Sequence, residues 1–269
     1  MPNPLPPPVR AAALALLVAG CAQVPTGPGE TVVLPPERLA AAGARASAQI
    51  QRNGELLREL DTVRYARCVT DALVRAIPES PNAWELVVLR DETPDAYALA
   101  GRRLGLTKGV LRIADNQDRL AAVLAHGIAH VLLGHTDAHI APAVAAEFDG
   151  PGPLSPAAIG AIGGAAQAGS PFAYGTDEET AADARALALM AAAGFDPAAA
   201  APVWAQLQAF RVREGTSGER PPPMLLVHPT DRSRLQSLRT PPPPALAAFD
   251  TARLRNLRPA CGVAEESER

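Results

Sequence analysis

The five histidines of the chain are His126, His130, His135, His139 and His228, and four of them fall within one short stretch. Residues four apart share a face of a helix, so His126 and His130 can turn both imidazoles toward one ion, leaving room for a third ligand and a water. A first-row metal suits such a set, and one zinc ion is the expected cofactor. In the usual H-E-x-x-H arrangement the residue after the first histidine is a glutamate, which takes a proton from metal-activated water and passes it on. Here that position is Gly127. Taken alone, a helical H-x-x-x-H pair is a weak signal, because histidines reach this spacing by chance.

A second constellation supplies context. Glu179-Thr180-Ala181-Ala182-Asp183 places two carboxylates four apart on one helix face. Glu179 is suited to be the third ligand, and Asp183, one turn on, to hold the far ring nitrogen of a histidine ligand and fix its tautomer. A solvated acidic helix start, favoured by the macrodipole, would explain Glu178 and Glu179 but not an Asp183 followed by an apolar helix. His135 and His139 form another pair four apart. No distant carboxylate accompanies them, so a solvated helix end is the simpler reading than a second metal.

With these residues in place the sequence resembles the HtpX-like and CAAX-prenyl-protease-type zinc metallopeptidases, gluzincins, and in particular their periplasmic lipoprotein members. The resemblance rests on Leu120 to His126, Ile128-Ala129-His130, Glu179 to Asp183, Ala193-Gly194-Phe195-Asp196-Pro197, and Val227-His228-Pro229 with Arg232 or Arg234. It covers about Ala66 to Leu238. It implies that His126, His130 and Glu179 are the zinc ligands and that His228 stabilises the oxyanion of a tetrahedral intermediate. A histidine capping a proline turn is the alternative for His228. It also implies that segments of unfolded or envelope proteins bind as an added strand near Tyr97 to Leu106. Ala100-Gly101-Arg102 departs there from the family's usual proline and two glycines.

These side chains need elements to hold them. Asp115 or Asn116 can cap a helix running from about Gln117 through the histidines, and Thr176 can cap a second one that closes at Gly194. Residues 37–77 carry the apolar spacing of one or two amphipathic helices. Trp84 to Leu89 and the runs between Tyr97 and Ile113, broken by Gly101, Gly105 and Gly109, suit short strands. Ala157 to Ala168 could be a short helix, within a segment 149–173 that could cover the cleft. Pro221 to Pro223 and Pro241 to Pro244 suit exposed linkers or loops. The expected architecture is α+β: a mainly helical zincin-type domain with a small sheet beside the active-site helix.

The N-terminus reads as an address rather than fold. Arg10 precedes an apolar run, and Val18-Ala19-Gly20-Cys21 resembles a lipobox, so residues 1–20 are a lipoprotein signal peptide and Cys21 the lipidated residue, with a buried helix as the alternative. Ala22 points to the outer membrane of the periplasm by the same resemblance. Residues 21–36 form a Pro/Gly-rich tether, and 37–269 the metallopeptidase-like domain, its zinc-site core at about 66–238. Lipidation of Cys21 would leave Cys68 and Cys261 as an even pair to be bridged in an oxidising compartment, the alternative being two buried thiols. A net charge of −3 provides no basic field for nucleic acid.

The glycine bears on function. Without the proton shuttle, endopeptidase activity should be impaired and a binding or scaffolding role remain, as in a pseudoenzyme. The alternatives are an active zinc metalloendopeptidase that degrades misfolded envelope proteins, and a metal-free structural lipoprotein.

Overall fold

The computed structural model describes residues 32–78, 84–147, 173–217 and 223–262. The signal peptide, Cys21, most of the tether and the short helix expected at 157–168 lie outside them. The described part is mainly helical with one small sheet, the α+β architecture expected. No described helix is long and apolar enough to cross a membrane.

Two amphipathic helices open the domain, α1 (Pro36–Asn53) and α2 (Leu60–Arg75). Three strands follow: β1 (Glu85–Leu89), β2 (Ala96–Leu99) and β3 (Arg103–Thr107). They lie in the order β1-β3-β2, with β1 parallel and β2 antiparallel to β3. β3 is thus paired on both sides, and within the Tyr97 to Leu106 segment only β2 presents an edge to an incoming strand. Arg90 N–H and Leu57 N–H donate across the outer side of β1, to Glu55 O and Val88 O. The β2–β3 turn puts Gly101 and Arg102 in the left-handed region, at φ 75° and 63°. Tyr97 lays its ring over Gly105, where a Cβ would stand 1.8 Å from the ring carbon Cζ, so only glycine fits.

The strand expectation fails for the end of that region. Lys108–Ile113 is a helix, α3, because Val110, Leu111 and Ala114 are buried in the core while Arg112 points out, a helical spacing rather than an alternating one.

α4 (Gln117–Leu132) is the centre of the molecule. Asn116 caps it, accepting from Arg119 N–H at 3.0 Å. Leu120 to His126, Ile128, Ala129 and His130 are all buried on it, the pattern of a helix enclosed on every side. It packs on β2, α2 and three later helices: α5 (His135–Glu147), α6 (Thr176–Ala192) and α7 (Ala200–Ser217). Thr176 does not cap α6. The N-cap is Gly175, whose N–H donates to Glu178 Oε2 at 2.8 Å. The proline runs also differ from expectation. Pro223 opens α8 (Pro223–Val227) and Pro243 opens α10 (Pro243–Leu254), positions where the missing N–H has no intrahelical partner to lose. Between them α9 (Arg232–Leu238) is capped by Asp231, which accepts from Arg234 N–H at 2.8 Å.

Cys68 of α2 and Cys261 are disulfide-bonded, with Cα atoms 5.5 Å apart. The bridge fastens the last described segment beneath α4, where Cys261 N–H also donates to Gln117 Oε1.

Candidate metal centre

His126 and His130 project from the same face of α4, and their Nε2 atoms lie 3.0 Å apart. α6 crosses α4 and brings Glu179, 3% exposed, to that point. Its Oε1 is 3.3 Å from His130 Nε2, and its Oε2 is 3.5 Å from His126 Nε2. α8 ends by delivering His228, whose Nδ1 is 2.8 Å from Glu179 Oε1 and 3.1 Å from His126 Nε2. The four side chains offer ligand atoms all within 4.8 Å of one another. A tetrahedral ion with bonds of about 2.0–2.1 Å sets its ligands about 3.3 Å apart, which is the spacing found here. Three imidazoles and a carboxylate are the donor set that zinc favours, so the residues fit the metal.

His228 therefore stands inside the ring of ligand atoms, not beside it. An oxyanion-stabilising role was expected of it, and its ring nitrogen converges with the other three donors. Its approach to the other donors is not legible locally, because it lies 102 residues from His126.

Asp183 occupies the position expected of it. His126 Nδ1 is 3.0 Å from Asp183 Oδ1. A carboxylate only accepts, so Nδ1 carries a proton and Nε2 is the nitrogen turned to the cluster. Arg234, from α9, grips Asp183 with two bonds, Nε to Oδ2 at 2.8 Å and Nη2 to Oδ1 at 2.9 Å. Its Nη1 also lies against Glu179 Oε2. This arginine was legible only as part of a short motif; its role was not. Trp204 of α7 meets His126 edge-on at 5.0 Å and carries the Arg234 guanidinium 4.5 Å over its face. Tyr174 stacks on His130, ring centres 3.8 Å apart.

The electrostatics follow from burial and charge. Burial opposes ionisation of Glu179, but the His228 and His126 imidazoles outweigh it and hold this carboxylate far below its usual range. Asp183 is held down likewise, its burial outweighed by His126 and Arg234. Burial depresses His130 to about 2 and lowers His228 as well. For His126 the effect of burial is overcome by Glu179 and Asp183, and its pKa rises. The site thus joins ionised carboxylates to buried imidazoles, and a metal ion would take the place of the proton that His126 favours.

His135 and His139 do not form a second metal set. His135 Nδ1 lies 3.2 Å from His130 Nδ1, behind the cluster. His139 Nε2 is 2.9 Å from both oxygens of Glu178, which is in turn held by Gly175 N–H. Gly127 faces the sheet. A Cβ there would meet only Ala98 Cβ at 3.5 Å and Leu104 Cδ2 at 3.7 Å, ordinary contacts.

Comparison with known proteins agrees with this construction. The profile of peptidase family M48 matches residues 61–241, which include every residue of the cluster. The mitochondrial metalloendopeptidase OMA1 of Schizosaccharomyces pombe is 31% identical over 186 residues, covering 66% of this chain and 52% of that protein. The β-barrel assembly-enhancing protease of Yersinia pestis is 29% identical over 210 residues, 71% of this chain and 41% of that one. Its Escherichia coli namesake is 26% identical over the same shares. The chain spans about half, or less, of the length of these relatives.

Proposed function

Because the chain belongs to peptidase family M48, we propose that it holds one zinc ion on His126, His130, Glu179 and His228 and binds extended protein segments with little or no hydrolysis. The observation that carries this is the absence of a carboxylate at Gly127 within an otherwise intact site. Among the described residues the acids around the cluster are engaged elsewhere: Glu179 points at the other ligands, Asp183 at His126 and Arg234, and Glu178 at His139.

Zinc in such a site polarises a carbonyl and brings its water to a pKa of ~7. The chain's own residues must then move the proton from the attacking water to the departing amine. Among the described residues no group is placed for that step, and its loss costs about 10² to 10⁴ in rate or more.

The segment bound would add to the β2 edge beside α4, through main-chain hydrogen bonds. The Val18-Ala19-Gly20-Cys21 pattern and a bridged Cys68–Cys261 pair support a lipoprotein of the bacterial envelope, periplasmic and anchored to the outer membrane by Cys21. Relatives named for β-barrel assembly fit a client drawn from envelope proteins.

An active metalloendopeptidase is the competing reading, favoured by the room that persists at Gly127 for the missing side chain. Zinc content and casein cleavage by the pure protein and by Gly127→Glu decide between them. The expected result is one zinc per chain in both and cleavage by the variant alone; equal turnover would sink the proposal.

A further inference from the structure

His228 reaches the cluster at the end of a helix too short to hold itself. α8 has five residues, well below the length at which a helix is stable alone in water. The N–H groups at its start need acceptors, and Pro221 and Pro222, which precede it in the sequence, have no side-chain oxygen to offer. The acceptor comes from elsewhere in the chain. Asp95, 129 residues away, takes the Met224 N–H on its Oδ1 at 3.0 Å, the bond that a helix's own N-cap side chain would otherwise make.

We propose that Asp95 is a positioning residue for His228, holding the start of α8 against the sheet so that the imidazole at its end falls among the other three donors.

The path from the sheet to the histidine is short, and every link in it is a hydrogen bond. Thr107 of β3 fixes the Asp95 backbone: its N–H donates to Asp95 O at 2.9 Å, and its Oγ1 accepts from Asp95 N–H at 2.9 Å. The Asp95 side chain then accepts from Met224 N–H, and the Met224 carbonyl accepts from His228 N–H at 2.8 Å. Met224 alone thus stands between Asp95 and the histidine. At the other end of α8, Tyr174 N–H donates to Val227 O at 2.9 Å. Met224, Leu225 and Val227, each 2% exposed, press the helix inward, but apolar burial has no direction, and the hydrogen bonds set its rotation. Among the described residues no hydrogen bond or ion pair joins Asp95 to the four donors themselves, so its influence runs through α8.

Two measurements test this, one of them without metal. In the metal-free protein, hydrogen exchange followed by NMR reads α8 directly. Asp95→Ala should speed exchange of the His228 N–H by about fivefold, as loss of a helix cap does, while the amides of α4 and α6 stay within about twofold of the parent. Asp95→Asn keeps an acceptor for Met224 N–H and should return the parent rate. Unchanged exchange in Asp95→Ala, or equally fast exchange in both variants, overturns the proposal.

The second measurement rests on the zinc reading above. Competition against a chromogenic chelator should find Asp95→Ala about tenfold weaker for zinc than the parent, yet within about twofold of its reference when both carry His228→Ala. An equal loss in the two backgrounds would mean that Asp95 only supports the fold, and would also overturn the proposal. Should Asp95→Ala not fold, Asp95→Glu, which moves the acceptor by one methylene, takes its place in both measurements with the same expected pattern. A parent protein that takes up no zinc would count against the zinc reading, and the exchange rates would then decide for or against Asp95.

Discussion

Asp183 Oδ1 lies 3.0 Å from His126 Nδ1 while Arg234 holds both oxygens of the same carboxylate. A single acid thereby aims one ligand and is itself fixed by a buried cation from another helix. Asp183→Ala should release the His126 ring and weaken zinc binding by about 10- to 100-fold, as loss of such a partner does in other metal sites. Competition against a chromogenic chelator measures it, and affinity within twofold of the parent would assign Asp183 to packing alone.

The contact between His130 and His135, 3.2 Å between their Nδ1 atoms, makes a smaller version of the same arrangement. His135→Ala should lower zinc affinity, within the lower part of that ~10- to 100-fold range, because His135 is only half-buried and water can replace it. His135→Gln, which can still accept from His130, should recover most of the loss in the same competition assay.

Chelation should destabilise the fold. Four donors from α4, α6 and α8 converge on one point, so removing the ion leaves Glu179 buried among imidazoles. A lower Tm with EDTA, restored by zinc, is the expected outcome. A metal-free structural protein would melt at the same temperature with or without the chelator.

Reduction of the Cys68–Cys261 bridge opens a loop of 193 residues. The chain-entropy contribution of a closure this long is about 5 kcal/mol. Reductant, or Cys68→Ser, should shift the urea midpoint down with the metal site still formed, which zinc content would confirm.

Asp95 provides a pH test away from the metal. Its carboxyl is pushed up from an ordinary 3.8 to about 7 by burial, against the N–H groups of Met224 and Ala96 that donate to it. The folded state therefore keeps a proton that the unfolded chain gives up, and stability present below 3.8 is lost as pH rises through 7. Urea midpoints should fall between pH 5 and pH 8, and Asp95→Asn should flatten that fall.

Much of this site was legible before any coordinates, because helices advertise their ends and faces. Asp115-Asn116 announced the start of α4, the four-residue spacings of His126 with His130 and of Glu179 with Asp183 announced shared faces, and family resemblance joined the two helices. What stayed hidden depends on long-range closure. Nothing local to Val227-His228-Pro229 says that its imidazole ends among the ligand atoms, and Arg234 reveals its work only when α9 docks on α6. The strand pattern failed at Lys108–Ile113 because so short a stretch with Val110, Leu111 and Ile113 suits either element, and burial of Val110, Leu111 and Ala114 decided for helix. The proline runs misled for a related reason: a proline that ends one segment is equally suited to begin the next helix.

The span from His126 to His228 has a consequence for biogenesis. A growing chain first exposes only the His126 and His130 pair, then Glu179, and the last donor arrives 102 residues after the first. An ion held by all four would have to wait until α6 and α8 have docked on α4, so its retention would report that the C-terminal third has assembled. A chain that crosses a membrane unfolded would carry no metal with it. It would be loaded at its destination, and its affinity would be drawn from whatever zinc that compartment holds.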